Sequence, residues 1–162
     1  MAVSELIGAA VGVILLVIVA YVVVSSTLFA AETVTTAQKD LTLQHEVRMR
    51  TAITLTDLTN ETPDAYIVVG NLTNTGTEII SDFKHMDVIV YDMEDGTYEI
   101  CTYKDDINRG YWRVTNNYGE FIHPNELDPG EVYKIEIRTV ADAPKWFQIT
   151  TANGVSASAF KK

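Results

Sequence analysis

The chain has a single cysteine, Cys101, among its 162 residues, so no disulfide can close within it and the fold has to come from packing. Proline and glycine are absent from Val13 to Asn60, which leaves that stretch without the usual chain breakers. Basic residues are scarce: 12 Lys and Arg stand against 22 Asp and Glu, a net charge of −10. Such a surface repels phosphate backbones, which argues against a nucleic-acid partner, and it lacks the Lys/Arg clusters that hold a protein on anionic lipid. Catalytic signatures are missing as well, with no Gly-rich phosphate loop, no G-x-S-x-G and no H-E-x-x-H. His45, His85 and His123 lie far apart and read as surface or turn residues. Cys101 alternates with aromatics in TYEICTY and reads as a half-buried strand position with no activating neighbour. DMEDG starts like a calcium loop, but Gly96 falls where the third ligand should be. KDDINRG gathers Asp105, Asp106 and Asn108, either a weak cation site or a solvated turn. The expectation is therefore a protein that is not an enzyme, with no cofactor, no metal and no small-molecule substrate.

The most conspicuous feature present is apolar. From Leu6 to Ala31 there is no Lys, Arg, Asp or Glu. About 20 apolar residues cross a hydrocarbon layer of roughly 30 Å, so this run is long enough to span it. The start MAVSE lacks the basic n-region of a secretory signal, and the run is too long for one, so a retained helix is expected. The first cation is Lys39, which leaves the orientation in the membrane unset by charge. Ala30, Val34, Ala37 and Leu41 continue one helical stripe, predicting a single helix into the forties whose second half forms a stalk. Its threonines disfavour helix, so that half needs a neighbour. Glu5 has two readings: an anion in the first turn favoured by the helix dipole, with Ser4 as cap, or an intersubunit partner for a cation. Gly8 and Gly12, with other small residues, would permit close helix–helix contact and self-association.

Near Arg50 the period changes from helical to alternating. TAITLTDL, AYIVVGNLTNTG, MDVIVYD, TYEICTY, GYWRVT, GEFIH, VYKIEIRTV, KWFQITT and GVSASAF read as short strands divided by turn signals. MEDG and Ala-Asn-Gly predict two hairpins, and LDPGE a tight turn. The fold class is α+β, a long N-terminal hydrophobic helix over 1–49 followed by an all-β, immunoglobulin-like antiparallel sandwich over 50–162. Asn71 and Asn60 head glycosylation sequons, usable if the domain lies outside the cell, and the acidic surface favours that side. Tyr111, Trp112 and Tyr118 are candidates for a partner contact, since aromatics dominate binding hot spots, although a core role for them is also open. A solute-binding module would need a pocket with converging polar groups, and the sequence shows none.

An acid at position five, a long apolar helix continuing into a stalk, and a sandwich resemble the type IV pilin superfamily. That resemblance implies that Glu5 pairs with a neighbour's N-terminal amine. The segments AQKDLTLQHEVRMRTAITLTDL, VGNLTNTGTEIISDFKHMDVIVYD and HPNELDPGEVYKIEI resemble the archaellum accessory proteins F and G of archaea. Their N-T-G, D-F and D-V pattern falls on Asn74-Thr75-Gly76, Asp82-Phe83 and Asp87-Val88. The resemblance implies an extracytoplasmic sandwich in an archaeal cell envelope, binding surface-layer protein and archaellum components as the stator of a rotary filament. The alternative it leaves open is a subunit of a helical surface filament, with the N-terminal helix in the core.

Overall fold

A computed structural model describes residues 2–61, 66–105, 108–118, 122–142 and 144–162. They fall into two compact units, 1–44 and 45–162. A helix, α1, runs Ala2–Arg50, and its apolar side chains are exposed along its length. It is long and apolar enough to cross a membrane. The threonines predicted to weaken its second half are accommodated locally. Thr33, Thr35, Thr36 and Thr42 each donate their hydroxyl to the carbonyl four residues back, which satisfies these hydroxyls within the helix itself.

Eight strands follow: β1 Ile53–Asn60, β2 Ile67–Asn74, β3 Asp87–Asp92, β4 Tyr98–Tyr103, β5 Tyr111–Tyr118, β6 Val132–Arg138, β7 Pro144–Thr150 and β8 Ser156–Phe160. Their order is β1-β2-β6-β5-β4-β3-β7-β8. The sheet curls until its ends meet, where the Lys162 amide donates to the Leu58 carbonyl at 3.0 Å. The result is a nearly closed sandwich of two four-stranded halves, as the strand spacing predicts. Both predicted hairpins, β3–β4 and β7–β8, form in register about their turns. One pairing departs from the antiparallel expectation. β4 and β5 are parallel, paired in register at Thr102–Tyr111 and Tyr103–Trp112. A parallel pair needs a crossover of about a dozen residues or more, and the connection here is shorter, so the strands part at once into opposite halves. The described end of the expected strand GEFIH, Ile122 and His123, lies in a loop, and its first three residues are outside the described range.

Alternation places Ile53 and Leu55 inside, and continued alternation would bury Asp57. Instead Asp57 adopts a left-handed conformation, φ 54°, in a bulge between Thr56 and Thr59, which turns Leu58 into the core. Gly70 makes the space, since a Cβ there would stand 2.7 Å from Leu58 Cδ2. The core between the halves is built from Leu58, Leu72, Val88, Val90, Cys101, Trp112, Tyr133, Ile135, Ile137, Phe147 and Ile149.

On the outer side, Glu136 is buried beneath two arginines. Arg113 Nη2 donates to Oε2 at 2.8 Å and Arg138 Nε to Oε1 at 2.9 Å. Burial works against the charge, but the two guanidiniums, Arg113 first, outweigh it and hold the carboxyl below its ordinary value. A lowered folded pKa stabilises the fold above the unfolded value and loses that contribution as pH falls through the folded one. Thermal melts should therefore drop below about pH 4.5, the ordinary glutamate value. Glu136→Gln should cost about 2 kcal/mol at neutral pH, below the roughly 3–5 of a fully buried pair because the arginine side chains are 34% exposed. It should also flatten the acid limb of the melting profile.

Candidate functional site

The sandwich has two ends with different chemistry. At one end the last helical residues, His45–Arg50, enter a socket. The Arg50 carbonyl accepts the amides of Thr77 and Glu78, and the Ala52 carbonyl those of Thr75 and Gly76. The bonds to Arg50 occupy a carbonyl that a helix C-terminus otherwise leaves unpaired, and those to Ala52 hold the residue just beyond it. Asn74 is buried and shapes the turn: Oδ1 accepts the Gly76 amide, while Nδ2 donates to the carbonyls of Glu78 and Leu127. Asn153 Nδ2 donates to Thr51 Oγ1 at 2.6 Å from the β7–β8 turn. The N-T-G motif is thus a clamp on the end of the helix. In D-F, Phe83 is core, stacked on Tyr103 and tilted against Tyr133. In D-V, Val88 is core as well.

At the other end, the half-sheet β4-β3-β7-β8 turns an apolar row outward. Register places Tyr98 beside Tyr91, Tyr91 beside Trp146, and Trp146 beside Phe160, one aromatic from each of four adjacent strands. Tyr91 and Tyr98 pack with tilted rings, their centroids 4.6 Å apart. Tyr98 is 69% and Phe160 67% exposed, while Tyr91 and Trp146 are half-buried. The next row inward along the strands is Ile100, Ile89, Gln148 and Ser158, with Ile100 62% exposed. The third is Thr102, Asp87, Thr150 and Ser156. Of these twelve outward positions, Asp87 alone is charged. Contiguous exposed apolar surface of this kind marks interaction sites. The row was not among the candidates drawn from sequence, although the hairpin symmetry about MEDG and Ala-Asn-Gly pairs Tyr91 with Tyr98 and Trp146 with Phe160.

The residues singled out from sequence are dispersed. Glu5, Gly8 and Gly12 lie exposed on α1, and a Cβ at either glycine would meet nothing within 4 Å. Asn71 is half-buried in the middle of β2 and donates to Asp57 Oδ2 at 3.4 Å. Asn60 is exposed at the end of β1, but Thr62 of its sequon lies outside the described residues. Tyr111 is half-buried, with Lys104 Nζ 4.1 Å from its ring centroid. Trp112 lies wholly inside the core, donating from Nε1 to the Met86 carbonyl at 3.2 Å, so its ring presents no surface to a partner. The side chain of Tyr118 is outside the described range.

Asp106 is outside that range too, and Asp105 accepts a hydrogen bond from the Tyr103 hydroxyl at 3.1 Å. His85 pairs with Asp82 at 2.7 Å and His123 with Asp128 at 2.9 Å. Burial, with Glu99 alongside, pushes the Cys101 thiol far above its usual range, leaving it unreactive rather than half-exposed. Among the described residues no group of three or more His, Cys, Asp or Glu could hold a metal ion. A cleft of about 240 Å³ opens where β4 and β5 part, lined by Phe83, Tyr103 and Tyr133 among others. It is smaller than the roughly 300–1,000 Å³ of ordinary ligand pockets.

No known family model matches the chain. A protein of Archaeoglobus fulgidus, itself described as uncharacterized, is 29% identical over 146 residues, spanning 90% of this chain and 86% of the relative. Among solved structures, the archaellum periplasmic stator protein FlaG from Sulfolobus acidocaldarius superposes with a TM-score of 0.51 at 26% identity, over 67% of this chain and 97% of that one. The archaellum periplasmic stator complex FlaF and FlaG from the same organism gives a TM-score of 0.48 at 26% identity, over 66% and 85%. The chain thus resembles the archaellum stator protein FlaG in its fold.

Proposed function

We propose that this protein is a non-enzymatic structural part of the archaellum stator. In this reading α1 anchors it in the membrane of an archaeal cell envelope. The sandwich lies outside the cytoplasm and binds surface-layer protein together with other archaellum components. The likeness to a periplasmic stator protein over nearly that protein's whole length carries the reading. It is supported by a helix long and apolar enough to span a bilayer, followed by a sandwich whose motif residues serve packing and clamping.

A second reading, a filament subunit with α1 in a helical core, draws on the fully exposed apolar length of α1 and the open surface at Gly8 and Gly12. There Glu5 pairs with a neighbouring subunit's amine. One experiment separates the two. Cells carrying the tagged full chain are sheared, and filaments and envelope are assayed separately. The stator reading expects the protein in the envelope fraction, co-purifying with surface-layer and motor proteins. Recovery as the main component of sheared filaments would instead establish the second reading.

A further inference from the structure

We propose that the outward face of β4-β3-β7-β8 binds a neutral glycan chain along the row Tyr98, Tyr91, Trp146, Phe160. This rests on the cell-envelope reading for where such a glycan would be met, and on the face itself for its chemistry. Charge on the face favours a neutral ligand. On a chain of net charge −10, eleven of twelve outward positions are uncharged. An anionic lipid, a nucleic acid or an acidic peptide finds no cation in these rows, and a basic partner finds only Asp87. The complementary ligand is neutral.

The area of the face favours a slender ligand. Four strands about 4.8 Å apart, each with three outward residues about 6.8 Å apart, present on the order of 400 Å². A stable protein–protein contact takes about 800 Å² from each side. The aromatic row is long and narrow, crossing all four strands, which suits a chain-like ligand better than a second folded surface.

The composition of the face matches a sugar ring. Beside the aromatics stand amide and hydroxyl side chains, Gln148 and Ser158 in the next row. A pyranose ring has an apolar C–H face and a rim of hydroxyls. The C–H face packs on the electron-rich face of an aromatic ring, and the rim hydrogen-bonds to neutral amides and hydroxyls. A row of rings beside a row of neutral polar groups offers both.

The test uses the full chain in a zwitterionic detergent free of sugar, applied to immobilised cellohexaose, chitohexaose and mannohexaose. Retention on at least one is expected, unchanged between low and molar salt because no ion pair is involved. Tyr98→Ala and Phe160→Ala, at the exposed ends of the row, should each weaken retention about tenfold, the upper range for one aromatic contact. Their circular dichroism should match the parent.

Retention on none of the three, or retention unaffected by both substitutions, overturns the proposal. Concentration-dependent self-association that both substitutions abolish, without glycan retention, would reassign the face to a protein contact. Failure here with envelope co-purification intact would leave the stator reading standing. Retention by a protein recovered from filaments would sink only that reading.

Discussion

Trp112→Ala should cost about 4 kcal/mol, the middle of the range for removing a large buried aromatic. The ring has no exposure to solvent and meets Tyr103 edge-on at 5.0 Å. Its Nε1–H satisfies the Met86 carbonyl, which the alanine would leave buried without a donor. For a domain of this size the melting temperature should fall on the order of 15 °C, read by near-ultraviolet circular dichroism of the full chain in detergent. Trp112→Phe keeps most of the apolar contact and loses only the donor, so a loss of about 1–2 kcal/mol is expected. An alanine variant melting with the parent would show that the ring is not part of the core. Because Trp112 sits at one of the two β4–β5 contacts, its loss also removes packing where the halves are joined least.

Gly76→Ala should cost about 3 kcal/mol, at the upper end of overpacking penalties. A Cβ there would overlap the Ala52 nitrogen and the Arg50 carbonyl oxygen, both main-chain atoms that cannot swing aside. The requirement is space rather than conformation, since Gly76 is not among the residues with positive φ. The same turn carries the four amide bonds that hold residues 50 and 52, so relieving the overlap would break the clamp. Gly12→Ala is the control: nothing lies within 4 Å, and the thermal melt should not fall. Equal melting of the two variants would refute the socket. Amide hydrogen exchange adds a local readout, with Thr77 and Glu78 expected to lose protection in Gly76→Ala.

Much of the fold was legible. The helix followed from a long stretch without Pro or Gly, and it runs to Arg50, slightly beyond the forties. Turn chemistry at MEDG and Ala-Asn-Gly located two hairpins that the structure contains, and Asp128-Pro129-Gly130 a tight turn closed by the Glu131 amide on the Asp128 carbonyl. The bulge at Asp57 was not foreseen, because alternation assigns a residue to a face only while the register is unbroken. For Trp112 the sequence left both core and contact open, with core the more ordinary reading, since neighbouring aromatics in RGYWRVT read the same on either face. Its burial depends on Met86, 26 residues away, and on Tyr103 of a different strand.

The sequence alone determined what is local: an apolar helix, the strands and their punctuation, and the pairing of residues across each hairpin. Hairpin register is set by a few turn residues, so Tyr91 with Tyr98 and Trp146 with Phe160 could be paired from spacing. Only the tertiary structure decided that β3 lies beside β7, which joins those two pairs into one row of four. It also decided that this row faces outward. Both outcomes follow from the burial of Val88, Val90, Phe147 and Ile149 against the opposite half-sheet. Nothing within either hairpin specifies that choice, because the energy behind it comes from residues far apart in the chain.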